Sequence, residues 1–404
     1  MESSSYILKL QLITLFDSIS FGLIYPFLPP YLLVLGGNNV TAGYLAVLTL
    51  ICQLLSWNIA KDIVSYQGKK TALLTMFSFS IVSHLLLILT GSCWFTIFGR
   101  CIFALTNQSN EVVKELYIKK ITKEETEFQL LIYNVLSSAG YIIGPVVSGC
   151  FFDTGFPLIC VLAAVLTLIN ACLVLAIPTE QDDLPSEGPE KTLSERTIGY
   201  IWKAADLTKK SDYKQNWDIL ALKFLYTASF AIFFTKFPMI LKTNYQSDSV
   251  TIGCTTAYIN IAMFIATYVT KNMQEKLSSI PAIILCQQAL VVLFFSMLIA
   301  CYSPMYPLFA LSVIPITFGR SYITTSWRKV YSERNNEFLD HVNDYVGILV
   351  GLTIPILFGI VCDMIKFNAV VLFSILPVLL ALYILNKYTC DFEELEGIDK
   401  SKDD

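Results

Sequence analysis

The sequence carries little charge for its length. Asp, Glu, Lys and Arg make up 15% of the 404 residues, against roughly 25% in an ordinary soluble protein. Hydrophobic residues make up 55%, and the mean hydropathy is +0.60. Too few charged residues remain to cover a water-soluble surface, which excludes the class of soluble globular proteins. Composition therefore predicts a polytopic membrane protein, and it gives no indication of a nucleic-acid partner.

Motifs for nucleotide, metal and disulfide chemistry are also missing. The chain has no Gly-Lys-Ser or Gly-Lys-Thr phosphate loop, which argues against ATP-driven pumping. It has only two histidines, and its eleven cysteines lie at irregular spacings, mostly inside apolar runs. Neither a zinc site nor a disulfide framework is predicted from such a pattern. We therefore expect neither an enzyme nor a bound cofactor, and any transport must be driven by gradients.

What the chain does contain is a long internal repeat. A displacement of 210 residues relates Pro145, Gly149, Asp153, Thr41 and Gly43 to Pro355, Gly359, Asp363, Thr251 and Gly253. A displacement of 209 relates Ser20, Phe21 and Pro29 to Ser229, Phe230 and Pro238. A repeat this long in an apolar chain predicts two similar bundles. Two parallel halves of six helices, with a substrate path between them, are typical of one large class of secondary transporter.

Apolar segments near the roughly 20 residues needed to cross a bilayer occur twelve times. Their approximate spans are 7–34, 41–63, 70–90, 94–114, 128–151, 156–177, 217–239, 249–270, 279–301, 305–327, 343–362 and 367–387. The first is too long for a signal-peptide core, so it is expected to remain as helix one. The fold class is an all-α membrane protein with twelve transmembrane helices in two pseudo-symmetric six-helix bundles. The bundles are predicted at 1–177 and 217–387, with a linker at 178–216 and an acidic tail at 388–404.

The distribution of Lys and Arg predicts the orientation. If both termini are cytoplasmic, the inner segments hold 22 of the 28 basic residues, the outer ends hold three, and the membrane interior holds three. Basic residues accumulate on the cytoplasmic side of membrane proteins. Both termini, the 178–216 linker and the tail are therefore predicted to be cytoplasmic, in either a plasma or an organelle membrane.

Two interior charges are candidates for coupling transport to protons. Asp17 lies in the middle of helix one, where a carboxylate is costly in lipid unless it faces a wet cavity or a partner. Reversible protonation would let it cross between states, so Asp17 is the first candidate; the alternative is a hydrogen-bonded structural Asp. Arg100 is its expected partner, because an interior guanidinium stays charged and needs an acceptor. Phe-Gly-Arg recurs at 318–320 with a displacement of 220, so Arg320 is not assigned as the counterpart of Arg100.

Polar residues on helix four predict a cavity-lining face. At helical spacing, one face carries Arg100, Ala104, Asn107, Gln108 and Glu111, and it is too polar for lipid. The alternative is a polar seam between helices, with Glu111 at the cytoplasmic edge. The candidate substrate-cavity residues are Tyr25, Asn107, Gln108, Glu111 and Asn134. Asn134 and Asn260 could instead bridge helices, and the aromatic residues do not decide between an amphipathic and a polar substrate.

Helix five has a stripe of small residues interrupted by a proline. Gly140, Gly144, Ser148 and Gly149 allow close helix approach, and Pro145 removes a backbone hydrogen bond and favours a bend. The pattern predicts a sliding or hinge surface, with ordinary helix packing as the alternative for each glycine.

These segments resemble the major facilitator superfamily. Gly140 to Gly149 is similar to the glycine-proline signature of its proton-coupled antiporters, and the run from Phe16-Asp17 to Pro29 resembles helix one of its tetracycline-efflux branch. Arg100 lies where that family keeps an arginine. The resemblance implies a cytoplasmic gate in the loop after helix two, at Asp62, Gly68, Lys69 and Lys70. In the family pattern the Asp precedes the Gly by three residues; here Asp62 precedes Gly68 by six, and Ser65 is the alternative match.

The sequence therefore predicts a secondary active transporter of a small organic solute, proton-coupled and working by alternating access. Its expected partners are the solute, protons and the lipid bilayer, and the expected state is a monomer. The alternative is a non-transporting member of the same fold that acts as a sensor or binds a partner protein.

Overall fold

The structure, a computed structural model, describes residues 2–89, 91–119, 126–178, 213–276, 282–333, 337–365 and 373–387. Within these ranges the regular structure is helical and contains no strand. Nearly all of the predicted linker and the whole predicted tail lie outside the described residues. The predicted topology of the termini and linker therefore stays a prediction.

The first half of the chain forms eight described helices. They are α1 Glu2–Ile24, α2 Leu28–Val34, α3 Asn39–Gln67, α4 Lys69–Leu89, α5 Cys93–Thr106, α6 Ser109–Lys119, α7 Thr126–Phe151 and α8 Phe156–Leu175. A short 3-10 turn, Phe152–Thr154, separates α7 from α8.

The second half forms six described helices. They are α9 Tyr213–Asn244, α10 Ser249–Lys276, α11 Ala282–Tyr302, α12 Tyr306–Glu333, α13 Glu337–Met364 and α14 Phe373–Lys387. Among the described residues, eight segments are long and apolar enough to cross a bilayer, and two shorter apolar helices lie at Leu220–Thr235 and Phe373–Lys387. All twelve predicted segments coincide with helices, which confirms the all-α membrane fold class.

Two of the predicted segments differ from the expected single helix. The first is divided at Tyr25–Phe27 into α1 and α2, because Pro26 has no amide hydrogen and disfavours a helical residue before it. The fourth is divided after Asn107, which ends α5 with φ −78° and ψ 51°. No proline lies at the second division, so the sequence does not predict it. The continuous polar face predicted for helix four is therefore wrong: Arg100 is on α5, while Glu111 is on α6.

Contacts divide the chain into two units. The first comprises the described residues of Met1–Ala205 together with Leu241–Asn260, and the second those of Asp206–Ile240 and Ile261–Asp404. The start of α10 thus groups with the first unit, although the sequence places it in the second half. Apolar burial in lipid gives no hydrophobic driving force, so van der Waals packing and interhelical hydrogen bonds hold such bundles together.

The first unit has an apolar core at the end where α1 begins. Its buried members are Tyr6, Leu10, Ile13, Ala60, Leu73, Met76, Phe77, Val112, Val113, Leu116, Tyr117, Tyr133, Val174 and Ile177. Lysines at the same end satisfy free carbonyls at the end of α8: Lys9 donates to Ala176 O at 2.7 Å and Lys70 to Leu175 O at 3.2 Å. The last carbonyls of a helix have no intrahelical partner, and cations are favourable there. These bonds join α1 and α4 to the end of α8.

Interhelical hydrogen bonds also join the helices of the second unit. Ser229 of α9 donates to the carbonyl of Ser374 on α14 at 2.6 Å, and Thr270 and Ser321 join α10 to α12 at 2.8 Å. In the first unit, Ser20 donates to the carbonyl of Ala163 at 3.1 Å. Because Ser20 and Ser229 are repeat mates, the sequence repeat is reproduced as the same contact in each unit.

Candidate functional site

Asp17 is buried on α1, with 7% of its surface exposed. Its Oδ2 accepts a hydrogen bond from Ser109 Oγ at 2.8 Å. Ser109 is the first residue of α6, so the break between α5 and α6 brings its hydroxyl to the carboxylate. Asp17 and Arg100 form no ion pair with each other, contrary to the predicted pairing. A neutral hydroxyl is the hydrogen-bond partner of the carboxylate instead.

Arg100 is buried on α5 against aromatic rings, with 5% of its surface exposed. Its guanidinium carbon lies 4.5 Å from the centroid of Phe103 and 5.9 Å from that of Phe21. Nε and Nη1 have no hydrogen-bond partner. Ring faces attract the charge, but they leave those two N–H groups without an acceptor. Arg100 therefore carries two buried N–H groups that have no acceptor in this conformation.

Arg320 occupies the corresponding position in the second unit. Its guanidinium carbon lies 5.1 Å from the centroid of Phe234 and 5.8 Å from that of Phe230. Phe230 is the repeat mate of Phe21, which lies beside Arg100. The two arginines therefore make similar contacts with repeat-related rings, a correspondence that the sequence left unassigned. The signal was present in the recurring Phe-Gly-Arg, but the ten extra residues of displacement concealed it.

One face of α1 collects several of the predicted site residues. Asp17 and Phe21 are four residues apart on α1, and Tyr25 follows just after the helix ends, its amide still donating to Phe21 O at 3.1 Å. Phe21 stacks on Tyr25 with ring centroids 5.5 Å apart, and its ring also lies near Arg100. Tyr25 is 60% exposed. The carboxylate, the guanidinium and two aromatic rings are thus gathered on α1, at its end and on α5.

The remaining cavity candidates are only partly brought together. Gln108 Nε2 donates to the buried Ser56 Oγ on α3 at 2.6 Å, so it bridges helices beside the α5–α6 break, where Asn107 is half-buried. Glu111 is exposed and lies 3.8 Å from Lys114. Asn134 is exposed on α7. Among the described residues, neither Glu111 nor Asn134 forms a hydrogen bond or an ion pair with Asp17, Phe21 or Tyr25.

The residues of the gate predicted after helix two make their contacts within the first unit. Gly68 ends α3 with φ +77°, a left-handed conformation that favours glycine. Lys69 Nζ lies 2.9 Å from Glu115 of α6, while Lys70 holds the end of α8. Asp62 is half-buried, and its carbonyl accepts a hydrogen bond from Ser65 Oγ at 2.9 Å. Both lysines therefore have contacts inside their own bundle.

The small residues of α7 contact two different helices. A Cβ on Gly144 would lie 2.6 Å from the backbone carbon of Gly22 on α1, and Gly140 is similarly confined by Ser18. Further along α7, a Cβ on Gly149 would lie 2.7 Å from the carbonyl oxygen of Ser249 on α10. The Gly144 and Gly149 contacts are with backbone, which cannot rotate away. The stripe therefore allows close approach on both sides of α7, as its composition predicts.

Three contacts accompany the approach of α7 to the start of α10. Ser249 Oγ donates to Asp153 Oδ1 at 2.8 Å, and Asn260 Nδ2 donates to the carbonyl of Tyr141 at 2.7 Å. Between them, Gly253 lies against Pro145 and Gly149. Asn260 thus bridges helices, one of the two alternatives that the sequence left open.

The sequence profile of the Major Facilitator Superfamily matches residues 10–337, and the chain belongs to this family. Membership places the chain in a superfamily of membrane transport proteins. The tetracycline-efflux branch within the family stays a prediction.

Solved structures of several transporters share the fold. A bacterial homologue of the human lysosomal transporter Spinster is 12% identical, with a TM-score of 0.75 and coverage of 95% of this chain and 96% of that one. The nucleoside transporter NupG is 14% identical, with a TM-score of 0.73 and coverage of 96% and 99%. The human organic anion transporter MFSD10 is 13% identical, with a TM-score of 0.58 and coverage of 95% and 99%. At these identities the likeness concerns the fold alone. No curated protein sequence matches the chain.

Proposed function

We propose that the protein is a proton-coupled secondary transporter of a small organic solute and that it works by alternating access. The observation that carries the proposal is the buried Asp17 carboxylate, whose hydrogen bond comes from a neutral hydroxyl at an interrupted helix. A buried carboxylate without a counter-ion is costly while charged and much less so when protonated. Proton uptake and release at Asp17 would therefore accompany changes in how water reaches it.

The α1 face suggests where the solute binds in the first unit. Tyr25 and Phe21 offer ring surface, and the buried N–H groups of Arg100, which have no acceptor, would donate to a solute in a state that opens this position. Together they suit an organic solute with an aromatic or apolar body and an acceptor group. Phe21 lies one helical turn from Asp17 on α1 and stacks on Tyr25, which follows the helix, so solute bound at the rings would lie near the carboxylate. This nearness is the physical basis proposed for coupling between solute and proton.

The hinge role of α7 rests on its two glycine contacts and on Pro145. Gly140 and Gly144 hold α7 to α1 within the first unit, whereas Gly149 meets α10. A bend at Pro145 would let the α10 side of α7 move while the α1 side stays in place. We therefore assign the conformational role to Gly149 and Pro145, and a packing role to Gly140 and Gly144.

The test is flux in proteoliposomes over a panel of aromatic and amphipathic solutes, with and without an imposed pH gradient. The parent should accumulate at least one solute when the gradient is present. Asp17→Asn should retain exchange of that solute but lose accumulation driven by the gradient. Asp363→Asn, at an exposed position, is the matched control and should behave as the parent. Gradient-driven accumulation by Asp17→Asn would show that Asp17 is structural, and a parent without flux of any solute would favour the non-transporting sensor.

A further inference from the structure

We infer that Asn260 is a positioning residue that supplies the hydrogen bond which Pro145 removes from α7. In an α-helix the amide of each residue donates to the carbonyl four residues earlier. Proline has no amide hydrogen, so the carbonyl of Tyr141 has no donor from residue 145. The side-chain amide of Asn260 donates to this carbonyl at 2.7 Å.

The position of this bond makes it dependent on helix contact. Asn260 belongs to α10, whereas Pro145 and Tyr141 belong to α7. The helices run antiparallel, with Ser249 near Asp153 and Asn260 near Tyr141. The Tyr141 carbonyl at the bend of α7 therefore has this donor only while the start of α10 lies alongside α7. When the helices separate, the Tyr141 carbonyl loses a donor that its own helix cannot replace.

The inference extends the proposed hinge, and its dependence on transport state rests on the proposed alternating access. The bond would favour the state in which α7 and residues 249–260 are together. A part-buried acceptor that loses its donor shifts such an equilibrium by about tenfold. The 210-residue repeat relates Asn260 to Leu50, whose side chain cannot donate. The second proline of the repeat, Pro355, therefore has no amide donor at the related position, and the two halves differ in this respect.

A double-mutant cycle tests the inference without any need for transport. The proteins are the parent, Asn260→Leu, Pro145→Ala and the double variant. The Pro145→Ala substitution restores a backbone amide that can donate to the Tyr141 carbonyl, so loss of Asn260 should then matter little. In the parent background, Asn260→Leu should lower the fraction of molecules with α7 and α10 together by about tenfold. In the Pro145→Ala background the same substitution should change that fraction less than about twofold.

The fraction is measured by cross-linking cysteines introduced at Thr154 and Gln246 with a short bismaleimide, after replacement of the native cysteines. Both positions lie beside the contact of Ser249 with Asp153. Ser249→Ala is the matched control: it removes a hydrogen bond between the same helices but does not involve the proline, so its effect should be equal in both backgrounds.

Equal effects of Asn260→Leu in the two backgrounds would overturn the inference, because Asn260 would then act through packing alone. Asn260→Gln, which keeps an amide donor, should recover part of the cross-linking yield that Asn260→Leu loses. If the cycle shows coupling but the parent carries no solute, the proposed function fails and the inference stands. If the parent transports and the cycle is additive, the inference alone fails.

Discussion

Replacing Gly149 by alanine should separate α7 from the start of α10. The new Cβ would lie 2.7 Å from the carbonyl oxygen of Ser249 and 3.2 Å from the Cα atoms of Val250 and Gly253. Ordinary contact begins near 3.4 Å, so the helices must move apart by roughly 0.7 Å at this point. Overpacking of this kind costs about 1–3 kcal/mol, which corresponds to a population change of about 5- to 150-fold.

The assay is again the rate of cross-linking between cysteines at Thr154 and Gln246 in purified protein. Gly149→Ala should cross-link more slowly, and solute exchange should slow as one state becomes depleted. Gly347→Ala is the matched control, since a Cβ at this helical position meets nothing within 4 Å. An unchanged cross-linking rate for Gly149→Ala would refute the reasoning, because it would mean that the helix pair absorbs the methyl group without separating.

Three further predictions concern packing and topology. Gly144→Ala should lower the thermal unfolding midpoint in detergent without changing cross-linking, because its Cβ would collide with Gly22 inside the first unit; slower cross-linking would contradict the packing role. Lys70→Met should destabilise the first unit by about 1 kcal/mol, since Leu175 O loses a charged donor, and an unchanged midpoint would dismiss that contact. A cysteine at Ser186 in the linker should resist impermeant maleimide in sealed cells, and ready labelling would reverse the predicted orientation.

Segment number and helical class could be predicted from composition, because a bilayer requires a minimum apolar length. The break between α5 and α6 could not, since Asn107 and Gln108 are compatible with a helix and no proline or glycine marks the position. The stripe on α7 indicated close approach, but periodicity identifies a face and not the helix that meets it. Sequence reasoning therefore missed that Gly144 meets α1 while Gly149 meets α10.

Charge pairing was the least predictable feature of the site. The rule that a buried guanidinium seeks a carboxylate paired Arg100 with Asp17, yet ring faces surround Arg100 and a hydroxyl meets Asp17. The break after Asn107 explains the difference, because it brings Ser109 to the carboxylate. For Arg320 the sequence did contain a signal, the repeated Phe-Gly-Arg. Its displacement is 220 residues instead of 210, because corresponding segments of the two halves can differ in length.

The lysine contacts at the end of α8 have a mechanical consequence for the chain. Lys9 and Lys70 hold the carbonyls at residues 175 and 176, immediately before the segment that leads to the second unit. A pull on that segment is therefore shared by α1 and α4 instead of unwinding α8 alone. The same arrangement makes residues after 178 a suitable place to cut the chain or insert a reporter domain, since α8 stays anchored without them.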